Sequence, residues 1–250
     1  MLKDRIRARE PLVGTFLKTP HYGVVEALGG TGLDFVILDG EHAGFGLAQM
    51  DACVLAARAV GLPCLARITS GTPADILRVL DLGADGIFVP HVMTGEQAAA
   101  IAKAAHYGAG GRGYAASNRA GNFGRVPMKQ HLQNAKNVIV VAQIEDPEGV
   151  DNASAIAAVD GIDACFVGVA DLAVAYEVYD LKADKVQAAI DTVVSACADK
   201  AMSVSSFAPD MTGVKALTDR GVTMVAVGSE HKAMQDWFSK AAVDAAMGRA

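Results

Sequence analysis

The sequence is poor in the residues that build small, stapled or metal-clustered domains. Its 250 residues contain four cysteines (Cys53, Cys64, Cys165 and Cys197) and one tryptophan. The cysteines lie far apart, each inside an apolar or helical stretch. None has the paired spacing of a zinc cluster or a redox motif, so they read as buried thiols. Cations are also in the minority, with 22 Lys and Arg against 28 Asp and Glu, a formal net charge of −6 and a pI near 5.5. That balance leaves no basic footprint for nucleic acid or anionic lipid. No apolar run approaches the roughly 20 residues needed to cross a bilayer, so no membrane partner is expected. The opening segment MLKDRIRAREP sets three arginines and two acids before the first apolar run. It lacks the layout of a secretory signal, and a cytoplasmic location is expected.

What the chain has instead is apolar material, 52% of its residues, with a mean hydropathy of +0.27. This is ample for a large core and too much for disorder. The length sits at the upper edge of the single-domain range, where α/β barrels habitually fall as one unit, so one domain over 1–250 is expected. Short β-branched runs alternate with longer Ala-rich segments of helical period, the pattern of successive βα units on a parallel sheet. Strands are predicted at 12–18, 34–39, 64–68, 86–90, 138–144, 163–168, 202–207 and 224–228. Helices are predicted at 22–30, 47–60, 73–82, 95–106, 148–158, 184–200, 210–220 and 230–247. The strands are continuous apolar runs, implying burial on both faces, as in a closed (β/α)₈ TIM barrel. An open dinucleotide-binding sheet is rejected because LGGTG at 28–32 precedes a strand instead of following one. No repeat beyond the βα unit is apparent. One break interrupts the rhythm: residues 107–137, with YGAGGRGYAASNRAGNFG, form a long Gly-rich loop expected to lie on the catalytic face after the fourth strand.

In such a barrel the reactive groups stand at the C-terminal ends of the strands. There the sequence places Asp39-Gly40-Glu41-His42 after the second strand, Arg67 after the third, Gln143-Ile144-Glu145-Asp146 after the fifth and Gly168-Val169-Ala170-Asp171 after the sixth. Glu145 and Asp171 offer two carboxylates from neighbouring strands. Hard oxygen ligands of this kind suit Mg²⁺, Mn²⁺ or Co²⁺, although Asp146 and Asp171 both sit where a helix N-cap could lie and a single acid is read more readily as a cap. Arg67 follows the apolar strand CLA, and its buried guanidinium demands an anion. A substrate 2-oxo acid or the neighbouring Asp39 and Glu41 would serve, and the two are compatible. His42 is the one histidine set directly after a strand in an acidic turn, a placement for a general base, with His91 its closest rival. Gly168 and the glycines of 108–113 would let backbone N–H groups approach a carboxylate.

Six motifs in order, LDGEHA at 38–43, LARI at 65–68, LDLGADGIFVP at 80–90, GGRGY at 110–114, QIED at 143–146 and GVADLA at 168–173, resemble the HpcH/HpaI family of metal-dependent class II pyruvate aldolases. The likeness runs over nearly the whole chain. It implies a barrel of the phosphoenolpyruvate/pyruvate superfamily, usually hexameric, with a divalent ion held by Glu145 and Asp171. It implies that Arg67 binds the 2-oxo acid and the developing enolate, and that His42 is the base, assisted by Asp81. Gln143, Gly168 and Ala170 are expected to line the substrate, and Asp39 and Glu41 to support the arginine. Asp81 falls near the end of a predicted helix, nominally on the opposite face, so the His42–Asp81 pairing requires an irregular turn or a neighbouring subunit. Val169 and Ala173 stand where the family commonly has proline and serine, and Thr69 where many members have proline; these departures bear on the acceptor aldehyde.

The activity so implied is reversible aldol cleavage of a 4-hydroxy-2-oxo acid to pyruvate or hydroxypyruvate and an aldehyde. Three alternatives are weighed. A class I aldolase would use Lys18, the one lysine at a strand terminus, as Schiff base. An acyl-CoA lyase of the malyl-CoA or citryl-CoA type would need more cations for the CoA phosphates than this acidic mouth shows. A non-catalytic barrel binding a 2-oxo acid would have no need of a base. The terminal segment DWFSKAAVDAAMGRA, with Trp237 and Phe238 on an Ala-rich helix, is expected to cover a neighbouring subunit of a homo-oligomer.

Overall fold

Eight parallel strands close into a barrel in chain order in the computed structural model, which describes residues 1–247. They are β1 (Leu12–Leu17), β2 (Phe35–Asp39), β3 (Cys64–Arg67), β4 (Gly86–Val89), β5 (Ile139–Ile144), β6 (Ala164–Val167), β7 (Ser203–Ala208) and β8 (Met224–Ser229). Each falls within a residue or two of its predicted span. The barrel closes through β1 and β8, where the register shifts between Gly14 and Phe16 and turns the end of β1 relative to its neighbour. The helices are α1 (Leu2–Arg7), α2 (Tyr22–Leu28), α3 (Leu47–Val60), α4 (Pro73–Asp81), α5 (Gly95–Ala105), α6 (Met128–Asn134), α7 (Pro147–Asp151), α8 (Ala153–Ala157), α9 (Val169–Ala175), α10 (Asp184–Asp199), α11 (Met211–Asp219) and α12 (Glu230–Met247). Among the described residues no helix is long and apolar enough to cross a membrane.

Two apolar zones follow from the alternation of side chains along the strands. The inner one fills the barrel with Leu12, Phe16, Phe35, Ile37, Leu65, Phe88, Val141, Phe166 and Met224. The outer one packs the opposite strand faces against the helices. Near the C-terminal ends, Phe166 meets Phe16 and Phe88 edge-on at centroid distances of 6.1 and 5.6 Å, giving the barrel an aromatic floor just below its mouth.

The other end is sealed by α1, which the sequence reading did not include. Leu2 and Ile6 join the inner core, Ser203 Oγ donates to the Ile6 carbonyl, and the Lys3 ammonium lies 3.0 Å from Asp163. A short repeat that the sequence reading also missed organises this end. Gly-x-Asp precedes β2, β4 and β6 as 32–34, 83–85 and 161–163. Each glycine is left-handed, at φ 82°, 90° and 95°, a turn that a side chain would strain. The aspartates then accept from an N–H at the start of the preceding strand: Asp34 from Val13 at 2.8 Å, Asp85 from Cys64 at 2.8 Å and Asp163 from Val140 at 3.0 Å.

Three expectations are corrected. The helix predicted over 148–158 divides at Asn152 into α7 and α8. The segment after β6, unassigned in the sequence reading, forms α9 and carries Asp171. The loop over 107–137 follows α5 rather than β4, and a connection that leaves a helix and enters a strand lies at the N-terminal end of the barrel. It is therefore on the face opposite the mouth, where Arg112 donates to Asp81 at 2.6 Å.

Candidate active site

Because the strands are parallel and in register, the residues that end them are delivered to one rim. Asp39 pairs with Arg67 across β2 and β3, so their side chains meet by construction. Arg67 gives both its Nε (3.0 Å) and Nη2 (2.7 Å) to Asp39 Oδ1, and its Nη1 lies 3.3 Å from Glu41 Oε2. The guanidinium rests on the aromatic floor, 4.7 Å from the centre of Phe16. Asp39 Oδ1 also accepts the His42 N–H at 3.0 Å, and Oδ2 faces the Lys18 ammonium at 3.2 Å. Burial would raise the Asp39 carboxyl, but Arg67, the His42 N–H and Lys18 together outweigh it and hold it below its ordinary value. Gly40 closes the turn: a Cβ there would lie 2.5 Å from the Arg67 carbonyl oxygen, to which Gly40 N–H donates at 2.9 Å. His42 itself is exposed, with Nε2 3.7 Å from Glu41 Oε2.

Across the mouth, Glu145 extends past β5. Its Oε1 accepts the His91 N–H at 2.9 Å, and its Oε2 accepts from the Gln143 amide. Burial raises the Glu145 carboxyl above its ordinary value, Asp171 adds to this, and the donors from Gln143 and His91 only partly oppose it. Gly168, buried at the end of β6, lies directly beneath two carboxylates. A Cβ at Gly168 would be 2.7 Å from Glu145 Cβ, 2.9 Å from Glu145 Oε2 and 3.6 Å from Asp171 Oδ2. A side chain there would run into Glu145, so glycine keeps this space open; carboxylate oxygens from two elements border it, and Gln143 Oε1, buried without a hydrogen-bond partner among the described residues, belongs to the same group. An all-oxygen donor set around a small gap fits a hard divalent cation such as Mg²⁺, Mn²⁺ or Co²⁺.

By sequence His91 stands second to His42 as a candidate base. Here it adopts a left-handed φ of 52°, its ring is 2.9 Å from Asp146 Oδ2, and Glu41, His91 and Glu145 offer ligand atoms within 4.8 Å of one another. The cue was its position straight after the strand-ending Val89-Pro90. Asp146 raises its imidazole above the ordinary value despite partial burial. Lys18 is engaged as an ion-pair donor, which ties up the lone pair a Schiff base needs. Asp81 is not brought to the mouth of its own barrel: it ends α4 at the opposite face and binds Arg112. A cavity of about 550 Å³ opens from the rim, lined by Phe16, Lys18, Arg67, Gln143, Gly168, Ala170 and Asp171 and extending to Phe207 and Ser229. A larger and more open depression of about 1120 Å³ lies at the other end, beside Lys3, Lys103 and Arg112. The chemistry converges on the smaller one.

Residues 12–236 match the model of the HpcH/HpaI aldolase/citrate lyase family. The chain belongs to this family. It is 33% identical over 230 residues to the 5-keto-4-deoxy-D-glucarate aldolases of Salmonella paratyphi C (strain RKS4594) and Klebsiella pneumoniae subsp. pneumoniae, covering 91% of this chain and 90% of each relative. A crystal structure of an HpcH/HpaI aldolase/citrate lyase family protein from Burkholderia cenocepacia J2315 superposes with a TM-score of 0.93 at 29% identity, over 98% of both chains. The citrate synthase SbnG gives 0.88 at 25% identity over 100% of both chains. Membership of this aldolase and lyase family makes the chain a carbon–carbon lyase built on a (β/α)₈ barrel.

Proposed function

We propose that this HpcH/HpaI family member is a divalent-metal-dependent class II aldolase. It would reversibly cleave 4-hydroxy-2-oxo acids to pyruvate or hydroxypyruvate and an aldehyde. The observation that carries the reading is the gap over Gly168, faced by Glu145 and Asp171 and set in one cavity with Arg67. Glu145 and Asp171 would hold the ion, which supplies Lewis-acid stabilisation of the negative charge developing on the 2-oxo group during cleavage.

The chain's own groups do the rest. Arg67, fixed from behind by Asp39 and Glu41, presents its remaining N–H groups to the 2-oxo acid and to the charge that develops on it. Its orientation needs no reorganisation, because the paired carboxylates and the Phe16 face set it beforehand. His42, held through its backbone by Asp39 and exposed at the rim, would take the C4 hydroxyl proton as the C3–C4 bond breaks and the aldehyde forms, and give a proton to C3 of the resulting enolate; in the synthetic direction it takes the C3 proton and returns one to the new C4 oxygen. Gln143 keeps Glu145 aimed at the Gly168 gap, while the backbone at Gly168 and Ala170 lines the donor position.

The partners of this reading are a small 2-oxo acid and an aldehyde, together with further copies of the chain. On α12, Trp237 and Phe238 are 72% and 66% exposed, which supports association into a homo-oligomer, a hexamer by the family resemblance. Asp81 would then meet His42 of a neighbouring copy. A cytoplasmic location accords with four free, buried cysteines. The test is an aldehyde panel run with pyruvate and with hydroxypyruvate in Mg²⁺, Mn²⁺ or Co²⁺. Metal-supported product formation is expected, and its absence with every combination would refute the aldolase reading. Light scattering at micromolar concentration should give a mass above the monomer.

A further inference from the structure

Lys18 is a cation of the mouth that the proposed reaction leaves unused. The cavity forms an arc. On one side stand Arg67, Gln143, Gly168 and Asp171, from the ends of β3, β5 and β6; on the other stand Phe207, Ser229 and Lys18, from β7, β8 and β1. If the first side holds the 2-oxo acid, the aldehyde-derived half must extend over the second. That half meets Phe16 and Phe207, whose ring centres are 6.3 Å apart, and then Lys18.

The cations along this cavity differ in what they have left to give. Arg220 is consumed by Gln187 and Asp191, with contacts of 2.6 and 2.5 Å. Lys182 is exposed on the segment before α10. Arg67 is buried and pointed by two carboxylates. The Lys18 side chain is 35% exposed and lines the cavity, and among the described residues its ammonium has one anionic contact, Asp39 Oδ2 at 3.2 Å, which does not exhaust its three donors. Its root is anchored: the Lys18 and Thr19 N–H groups both donate to Glu230 Oε1, at 2.8 and 2.5 Å. A fixed backbone under a half-exposed, partly committed ammonium is an arrangement that captures an anion without first ordering the chain.

We propose that Lys18 is a specificity-determining residue that binds an anionic group, a carboxylate, carried by the aldehyde-derived half of the substrate. The inference rests on the aldolase reading above. Asp39 then serves as the internal counter-ion for two cations, Arg67 on the donor side and Lys18 on the acceptor side. One charge-assisted contact at a half-buried site corresponds to a preference of about 10- to 100-fold in kcat/KM.

The test uses the full chain with Mn²⁺ and pyruvate and two near-isosteric acceptor pairs: glyoxylate with 2-methylpropanal, and succinic semialdehyde with 4-methylpentanal. The readout is the ratio of kcat/KM for the charged member over the neutral one. The wild type should favour the charged member in at least one pair. Lys18→Met should cut that ratio about 10- to 100-fold, mainly through KM for the acceptor, and Lys18→Arg should restore most of it. Lys18→Gln gives the same readout should Lys18→Met fail to fold. A wild type without charge preference in either pair, or variants that lose both members equally, would overturn the assignment and reduce Lys18 to a support for Asp39. No turnover by the wild type with any acceptor would instead remove the aldolase reading itself.

Discussion

The two ends of the barrel are both rich in buried ion pairs, yet they are wired differently. At the N-terminal end the charges under the strands close a circuit. Lys3 faces Asp163, Arg5 faces Asp34, and Asp34, Asp85 and Asp163 each also hold an N–H at the start of a neighbouring strand. At the mouth the circuit is left open: among the described residues Gln143 Oε1 is buried without a hydrogen-bond partner, Asp39 Oδ2 and Glu41 Oε2 have only ion-pair contacts, to Lys18 and Arg67, and Glu145 is kept against the cost of burial. The lesson is that the same residue types serve stability where they are mutually satisfied and serve ligands where they are not.

Mutations at the two ends should separate these roles. His42→Ala should have the largest effect, lowering turnover by about 10²–10⁴-fold while leaving pyruvate affinity nearly unchanged; steady-state kinetics beside C3 deuterium exchange check it. Asp163→Asn should behave in the opposite sense. It leaves the buried Lys3 ammonium without its counter-ion, with only the Val138 carbonyl as acceptor, and should cost about 3–5 kcal/mol of stability in denaturant unfolding, while turnover of the folded fraction stays close to wild type. Arg67→Lys keeps the charge and loses the flat fork, so kcat/KM should fall by about two to three powers of ten.

Glu145→Gln sharpens the contrast further. It should abolish metal binding in calorimetry yet leave the metal-free protein as stable as the wild type or more so, by up to about 1 kcal/mol, because a buried acid that resists ionisation is removed. A large loss of metal-free stability would place Glu145 among the structural pairs. The smallest effect concerns pH. Asp39 is held below its ordinary value of 3.8, so its contribution to stability is full above that pH and is lost as pH falls through its own lower value. The stability difference between wild type and Asp39→Asn should therefore be flat above about pH 5 and shrink below the ordinary carboxylate range.

Much of this was legible in the sequence because the parallel barrel makes position along a strand equivalent to depth in the molecule. The rule that polar residues past an apolar run reach the mouth found Asp39, Glu41, His42, Arg67, Gln143, Glu145 and Asp171 without coordinates. It failed where contacts depend on lateral geometry. That Lys18 faces Asp39, that Phe16 lies beneath Arg67 and that His91 reaches Asp146 follow from register between strands, which no single run encodes. Helix α1 was missed because only Leu2 and Ile6 mark its apolar side within a charged segment, and its burial is decided by the barrel end it plugs. The Gly-rich loop was assigned to the wrong face by counting from the strand before it instead of the helix between.

The claim that the open end is a metal-dependent aldolase centre is tested most directly by exchange of pyruvate C3 protons with solvent deuterium, followed by NMR with and without chelator. The account predicts exchange in Mn²⁺, its loss in EDTA and its return on adding metal, with no pyruvate trapped on the protein by borohydride. Exchange that survives EDTA, with pyruvate attached to Lys18 after reduction, would contradict it.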